Sequence, residues 1–219
     1  MTPIPRLRAL HLYSAPLSGC SARVKTALYH KRIPDTLPVS ITDISTSSGQ
    51  NRSPEYLSLN PNGSVPTLIA ELEDEAPAGP RTSPQKLTVT QSPAIISFLE
   101  DLFPSPPLVP PPSQPHARAR ALEIAALVAC DIQPPQSSRI RKRIGDEYGG
   151  DGEEWARWVY RRGFGVVECL LNDAPKGEGG KGRYCVGDEV TVADVFWCRL
   201  CRVLCGLGLM WWALGRNGR

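Results

Sequence analysis

Prolines divide this chain into two unlike halves. Seven of the twelve residues from 104 to 115 are proline. Proline has no backbone N–H and a fixed φ, so a run this dense cannot continue a helix or pair inside a sheet. We therefore predict an N-terminal domain over 8–104, a proline-rich linker over 105–115 and a C-terminal domain over 116–219. The 219 residues are enough for two small hydrophobic cores.

The composition argues against several classes of protein. Lys and Arg total 25 against 22 Asp and Glu, and this net charge of +3 is too small to indicate nucleic acid or an anionic membrane as a partner. The seven cysteines are an odd number without the spacing of a disulfide framework, which favours the cytoplasm. The apolar stretch 195–214 contains Arg199 and Arg202, which argues against a membrane span.

The first half alternates strand and helix patterns. Strand patterns cover 10–14, 37–41, 65–70 and 87–89, and helix patterns cover 20–31, a short segment from Pro54, and 92–103. Residues 42–52 are rich in Ser, Thr and Gly and predict a mobile loop, while 71–86 predict a solvated hairpin connection. The order β-α-β-α-β-β-α indicates a small mixed sheet whose first two strands are joined by a crossover helix.

The second half is predicted to be all helical. Apolar residues at helical spacing predict long helices over 113–132 and 155–171. Two further segments, 145–152 and 174–182, are polar and glycine-rich, which is typical of loops.

The last part of the chain contains a capping signal and a group of cysteines. Thr191 and Asp194 have the spacing of a capping box ahead of an apolar run. Cys198, Cys201 and Cys205 share one helical face in that run, which raises the alternative of a metal site. A fourth ligand is not evident, so we predict no metal.

A small polar turn precedes the first predicted helix, at Ser18-Gly19-Cys20-Ser21. The free backbone N–H groups and the positive end of the helix dipole at such a position favour an anion. A hydroxyl there can donate a hydrogen bond that keeps a bound thiolate ionised, and the same dipole favours the thiolate form of Cys20. An ordinary helix N-cap is the alternative interpretation.

Two more polar segments stand at junctions of the first half. Val65-Pro66 enters a strand, where a cis bond would expose the Val65 backbone to an extended ligand; a plain edge strand is the alternative. Gln91 and Ser92 stand at the start of a helix, where they could bind a carboxylate or simply cap the helix. Small α/β sheets form their ligand sites at such junctions, so the three segments together predict one site.

In this order the segments resemble glutathione transferases, and within that superfamily the zeta class, the maleylacetoacetate isomerases. The matching segments are Ser18-Gly-Cys-Ser-Ala-Arg-Val-Lys, Asn60-Pro-Asn-Gly-Ser-Val-Pro-Thr-Leu, Gln91-Ser-Pro-Ala-Ile-Ile, Cys130-Asp-Ile-Gln-Pro and Tyr184-Cys-Val-Gly-Asp. The resemblance covers roughly residues 10–196. It implies a thioredoxin-like α/β domain that binds glutathione, followed by an all-α domain, in a homodimer with the glutathione transferase fold.

The resemblance also implies the residues of the site. Ser18 is expected to stabilise the glutathione thiolate, with Cys20 as an auxiliary catalytic residue. The other implied glutathione contacts are Gly19, Ser21, Ala22, Arg23, Gln50 or Asn51, Val65, Gln91, Ser92, Gln133, Ser137 and Ser138. Arg23 and Lys25 are candidates to neutralise carboxylates of the substrate, with solvated surface charge as the alternative for both.

The implied activity is glutathione-dependent isomerisation of maleylacetoacetate, an unsaturated diketo diacid, to fumarylacetoacetate in tyrosine and phenylalanine catabolism. A thiolate adds to the conjugated cis double bond, rotation follows, and elimination returns the trans isomer. Three alternatives stay open: a transferase acting on small α-haloacids, a thiol oxidoreductase that uses Cys20, and a glutathione-binding protein with impaired catalysis.

Two departures from the family pattern bear on that choice. The second Ser of the family's first motif is Gly19 here, which removes one hydroxyl from the site. After Asp194 the chain reads Val195-Phe-Trp-Cys-Arg, and no later residue clearly matches the arginine that binds a substrate carboxylate in the family. We therefore expect a divergent or truncated C-terminus.

Overall fold

A computed structural model describes residues 6–73, 85–175 and 182–197 of the chain. The chain separates into two units, 1–107 and 108–219, and is divided within the proline-rich segment. The candidate metal ligands Cys198, Cys201 and Cys205 lie outside the described residues. So do most of the apolar stretch 195–214 and most of the hairpin connection predicted over 71–86.

The first unit is built on a four-stranded mixed sheet. Its strands are β1 (Leu7–Ser14), β2 (Val39–Asp43), β3 (Thr67–Leu72) and β4 (Lys86–Thr90). They lie in the order β2-β1-β3-β4, with β1 and β2 parallel and the other two pairs antiparallel. The helices are α1 (Gly19–His30), α2 (Pro54–Leu59) and α3 (Ser92–Leu102). The predicted element order and crossover helix are confirmed.

The strand boundaries differ from the predicted ones by one to three residues. Leu7 already pairs with Leu72, so β1 starts three residues before the predicted Leu10. Thr42 and Asp43 pair with β1, so they belong to β2 and not to the predicted loop. These boundaries depend on backbone pairing between distant segments, which local composition does not reveal.

The core of the first unit lies between the sheet and the apolar faces of α1 and α3. The alternating residues Leu10 and Leu12 of β1 are fully buried, as are Leu68 and Ala70 of β3. The helices contribute the buried residues Val24, Ala27, Leu28, Ile95, Ile96 and Leu99. These are the positions that helical spacing predicts for the inward faces.

A buried lysine closes this core at the end of α1. The Lys31 side chain is fully buried, and its ammonium lies 2.6 Å from the Glu100 carboxylate. It also donates to the carbonyl oxygens of Phe103 and Pro106, at 2.7 and 2.8 Å. A buried ammonium is tolerated when its hydrogen bonds are satisfied, so these contacts tie the end of α1 to the chain that leaves α3.

The described part of the second unit is helical. Helix α4 (Pro115–Ala126) continues directly into a π-helical segment, Leu127–Ile132. It is followed by α5 (Ser138–Tyr148) and α6 (Gly152–Asn172), and residues 192–197 are also helical. Within the described ranges, no helix is long and apolar enough to cross a bilayer.

Helix α5 corrects the predicted loop over 145–152. Residues 145–148 form the last turn of α5, and the helix ends at Gly149, which has a positive φ of 64°. No residue of α5 is fully buried. Helix α5 is mostly polar, with Ile140 and Ile144 as its only aliphatic residues, and propensity alone does not define a helix of this length.

The π-helical segment lies against α6 at Gly163. A Cβ atom on Gly163 would lie 2.5 Å from Cγ1 and 2.7 Å from Cδ1 of Ile132, which is itself fully buried. We expect Gly163→Ala to lower the free energy of unfolding by about 1–3 kcal/mol, because such overpacking forces side chains from their preferred rotamers.

Gly165 offers a matched control on the same helix. A Cβ atom on Gly165 meets no heavy atom within 4 Å. Gly165→Ala is therefore expected to be neutral or to stabilise the protein by about 0.5–1 kcal/mol. Urea unfolding followed by circular dichroism measures both changes, and equal stability of the two variants would contradict the packing argument.

The predicted capping box is present at the start of the last described helix. The Asp194 carboxylate accepts hydrogen bonds from the backbone N–H and the hydroxyl of Thr191, at 2.8 and 2.9 Å. It also accepts one from the backbone N–H of Cys185, at 2.9 Å. This carboxylate therefore holds both the helix start and the turn that precedes it.

Candidate active site

Strand register brings the three predicted site segments to one edge of the sheet. Tyr13, near the end of β1, pairs with Thr67 at the start of β3, and Thr67 pairs with Thr90 at the end of β4. The turn that holds Ser18, the Val65-Pro66 step and Gln91 each lie within five residues of this row. Because neighbouring strands are about 4.8 Å apart, the three strand ends span about 10 Å.

The first segment is the N-terminus of α1. Ser18 is the N-cap, and its Oγ accepts a hydrogen bond from the Ser21 N–H at 3.2 Å. The Ser21 hydroxyl, fully buried, accepts from the Ala15 N–H and so fixes the turn. A hydroxyl that accepts one bond still carries its own O–H, so Ser18 can cap α1 and donate to a bound anion at once.

Cys20 and Arg23 lie one turn apart on α1. Cys20 is half-buried, and Arg23 is only 2% exposed. The guanidinium Nη1 of Arg23 lies 3.9 Å from the Cys20 sulfur. Burial lowers the pKa of Arg23, while the neighbouring Cys20 raises it. Because the Arg23 side chain is buried, the alternative of a solvated surface charge is wrong for this residue. The Lys25 side chain is half-buried, so its burial does not decide between the two interpretations.

The second segment contains a cis peptide bond between Val65 and Pro66. The loop before it is held by a buried polar network around Thr67. The amide of Asn60 donates to the Ser64 carbonyl at 2.7 Å and to the Thr67 hydroxyl at 3.0 Å. The Tyr56 hydroxyl donates to the same carbonyl at 2.7 Å. This network fixes the backbone next to Val65.

Sequence patterns identified Asn60 only as part of a turn, and Tyr56 carried no signal. The role of Tyr56 depends on packing against Tyr13 of β1, with ring centroids 5.8 Å apart. This contact joins segments more than forty residues apart, so no local sequence motif predicts it.

The third segment is the start of α3. Gln91 has a φ of +70°, in the left-handed region that non-glycine residues rarely adopt, and Ser92 is 2% exposed. Residues held in such conformations cluster at ligand sites. The free N–H groups that follow them at the helix start can bind a carboxylate.

The loop candidates Gln50 and Asn51 leave β2 at the same edge of the sheet. The Gln50 side-chain carbonyl accepts from the Ser45 N–H at 2.9 Å and closes the loop on itself. The Asn51 amide donates to the Gly63 carbonyl at 2.6 Å, two residues before Val65. A short 3₁₀ turn, Gln50–Arg52, orders the end of a segment predicted to be mobile.

The remaining candidates lie in the second unit, close together in sequence. Gln133 ends the π-helical segment, and its backbone N–H donates to the Val128 carbonyl. Ser137 is the N-cap of α5, and Ser138 is its first residue. The structure thus gathers Gln133, Ser137 and Ser138 at the turn between α4 and α5.

Comparison with known proteins defines the class that this fold and site represent. Residues 17–102 match the family described as "Glutathione S-transferase, N-terminal domain". The thioredoxin-like sheet with a following helical unit is the fold of the glutathione transferases.

Comparison with individual relatives identifies the class within the glutathione transferases. The maleylacetoacetate isomerase of Aspergillus fumigatus is 38% identical over 186 residues, which cover 84% of this chain and 72% of that protein. The maleylacetoacetate isomerase of Mus musculus is 35% identical over 185 residues, covering 84% and 73%. The chain belongs to the zeta-class glutathione transferases, the family of the maleylacetoacetate isomerases, as its motifs predict.

A solved structure agrees with this assignment. The maleylacetoacetate isomerase of Methylobacterium extorquens AM1, with bound malonate and glutathione, has a TM-score of 0.72 at 31% identity. The match covers 91% of this chain and 84% of that one.

The described residues fit glutathione as the cofactor. Glutathione carries a thiol, two carboxylates and an extended peptide backbone. The three segments offer a hydroxyl at a helix N-terminus, a strand entry beside Val65, and a second helix N-terminus with Gln91 and Ser92. The thiol, the extended backbone and one carboxylate of the tripeptide thus have complementary groups at this edge of the sheet.

Proposed function

We propose that this protein is a glutathione-dependent cis–trans isomerase that converts maleylacetoacetate to fumarylacetoacetate in tyrosine and phenylalanine catabolism. The observation that carries the proposal is the strand register Tyr13–Thr67–Thr90, which brings Ser18, Val65 and Gln91 together. Family membership and the names of the relatives support the same reaction.

The chain has to keep a thiol ionised at neutral pH. Glutathione, when bound, supplies the thiolate nucleophile of the reaction. The Ser18 hydroxyl donates to the sulfur position, and the N-terminus of α1 contributes its positive dipole end. Because Ser21 and Ala15 hold the turn rigid, these donors are already oriented before the ligand arrives.

The substrate is a diacid, so positive potential near the site favours its binding. The helix N-termini of α1 and α3 both face this edge, and Arg23 adds a buried cation. The bound malonate in the Methylobacterium structure is a small diacid, which supports a dicarboxylate substrate here. Gln133, Ser137 and Ser138 are proposed as further glutathione contacts on the family resemblance alone.

The same family membership supports a cytoplasmic homodimer.

The direct test is isomerisation of maleylacetone by the purified protein with glutathione. We expect turnover that requires glutathione and is not supported by S-methylglutathione, which lacks a free thiol but keeps the rest of the tripeptide. A folded protein that binds glutathione without isomerising maleylacetone would contradict the proposal and favour a binding function. Consumption of dichloroacetate without isomerisation would identify the protein as an α-haloacid transferase.

A further inference from the structure

We propose that Tyr56, Asn60 and Thr67 are positioning residues that set the affinity of this protein for glutathione. They act through the Ser64 carbonyl, whose orientation determines where the backbone N–H of Val65 points. The inference rests on the glutathione binding of the proposed function and goes beyond it, because it assigns a role to three side chains outside the expected glutathione contacts.

The Ser64 carbonyl oxygen accepts two hydrogen bonds from side chains of the same unit. One comes from the Tyr56 hydroxyl and one from the Asn60 side-chain amide, both at 2.7 Å. A carbonyl oxygen has two lone pairs, so both of its acceptor positions are occupied. Rotation of the peptide plane between Ser64 and Val65 would break both hydrogen bonds at once, and the two donors therefore hold this plane in place.

Thr67 determines how the two donors are oriented. Its hydroxyl lies 2.9 Å from the Tyr56 hydroxyl and accepts from the Asn60 amide at 3.0 Å. Because the single proton of the Tyr56 hydroxyl goes to the Ser64 carbonyl, the Thr67 hydroxyl donates to Tyr56. The side-chain carbonyl of Asn60 accepts from the Asn62 N–H at 3.1 Å, which fixes the orientation of the amide. Each of these groups thus has a defined role as donor or acceptor.

Burial makes this network costly to disturb. Thr67 is fully buried, Asn60 is 1% exposed and Tyr56 is 4% exposed. A group that lost its partner here would bear the full cost of its desolvation, because bulk water does not reach it. Burial also raises the pKa of Tyr56, so its hydroxyl keeps the proton that it donates.

Val65 is the residue through which the network acts on the ligand. The peptide bond between Ser64 and Val65 is trans, so the Val65 N–H points opposite to the Ser64 carbonyl and away from the network. Among the described residues, nothing bonds to the Val65 N–H or carbonyl, and β3 begins only at Thr67. These two groups can pair with an extended peptide, and a peptide plane fixed in advance lowers the entropic cost of binding it.

The test is the dissociation constant of glutathione in Tyr56→Phe, measured by isothermal titration calorimetry. Phenylalanine keeps the ring that packs against Tyr13 and removes only the hydroxyl. We expect the dissociation constant to rise about fivefold, because the Ser64 carbonyl loses one of its two donors. S-methylglutathione should lose affinity by the same factor, since the network acts on the peptide backbone and not on the thiol. The kcat for maleylacetone at saturating glutathione should change less than about twofold.

Two sets of control variants separate this role from a purely structural one, which would lower stability without changing the affinity of the folded protein. Tyr29→Phe removes a hydroxyl from a tyrosine of the same unit that is 61% exposed, and it should bind glutathione as the wild type does. Thr67→Val keeps the β-branched shape without the hydroxyl, and we expect it to weaken glutathione binding about twofold to fivefold. Thr67→Ser keeps the hydroxyl and should retain most of the affinity.

Several results would overturn the proposal. They are an unchanged glutathione dissociation constant in Tyr56→Phe, equal losses of affinity in Tyr56→Phe and Tyr29→Phe, or a loss for glutathione that S-methylglutathione does not share. If Tyr56→Phe does not fold, the two Thr67 variants decide the question, and equal affinity of both for glutathione would contradict the role of the network. A wild type that binds glutathione without isomerising maleylacetone would refute the proposed function alone.

Discussion

Replacing Ser18 with alanine is expected to lower glutathione-dependent isomerisation of maleylacetone about a hundredfold or more, because a preorganised donor to a developing or bound anion is lost. The hydroxyl of Ser18 is the side-chain donor at the N-terminus of α1, and alanine leaves the thiol to ionise with the backbone dipole only. The measurement is kcat/KM at pH 7 with saturating glutathione, together with the glutathione dissociation constant.

The control must account for the helix cap, which alanine also removes. Loss of an N-cap costs about 0.5–2 kcal/mol of stability. Ser53 is the N-cap of α2 in the same unit, and its hydroxyl accepts from the Tyr56 N–H at 3.3 Å. Ser53→Ala should therefore lose comparable stability but keep its activity, and Ser18→Thr should keep part of the activity. Ser18→Ala activity within threefold of the wild type would contradict the assigned role.

The largest effect on stability is expected for Asp194→Ala. Its carboxylate accepts three hydrogen bonds, from the backbone of Cys185 and from the backbone and hydroxyl of Thr191. We expect the free energy of unfolding to fall by about 2–4 kcal/mol, because the helix start and the preceding turn lose their shared acceptor together. Urea unfolding followed by tryptophan fluorescence measures the change.

A second capping aspartate provides the comparison. Asp151 caps α6 by accepting from the N–H groups of Glu153 and Glu154, and those hydrogen bonds lower its pKa. Asp151 is exposed and spans no second segment, so Asp151→Ala should destabilise less. A lowered pKa means that its stabilising effect is present at neutral pH and is lost as the pH falls through that pKa. Equal losses for the two variants would contradict the role given to the Cys185 bond.

Much of the structure of the first unit could be predicted from local sequence patterns. Apolar periodicity identifies α1 and α3, because each buries a single face: Val24, Ala27 and Leu28 in one, Ile95, Ile96 and Leu99 in the other. The segments at Ser18, Val65 and Gln91 could be predicted as one site, because strand ends and helix starts leave backbone groups free for a ligand.

Features that depend on distant contacts could not be predicted. Helix α5 fully buries no side chain, and its two aliphatic residues, Ile140 and Ile144, are too few to indicate a helix from sequence. The bounds of β1 and β2 are set by pairing across the sheet. The sequence left Arg23 open between a ligand contact and a solvated surface charge, and only the folded unit reveals that its side chain is buried beside Cys20.

The pairing register between β1 and β3 restricts the insertions and deletions that this protein can accept. Leu68 and Ala70 face the core, while Thr67 and Ile69 lie on the opposite face beside Tyr13 and His11. A deletion of one residue within β3 would reverse these faces and also shift Val65 by about 3.3 Å along the strand. Packing of the core and placement of the candidate site would therefore be disrupted together. New specificities can arise through substitutions in the turns but not through a change of strand register.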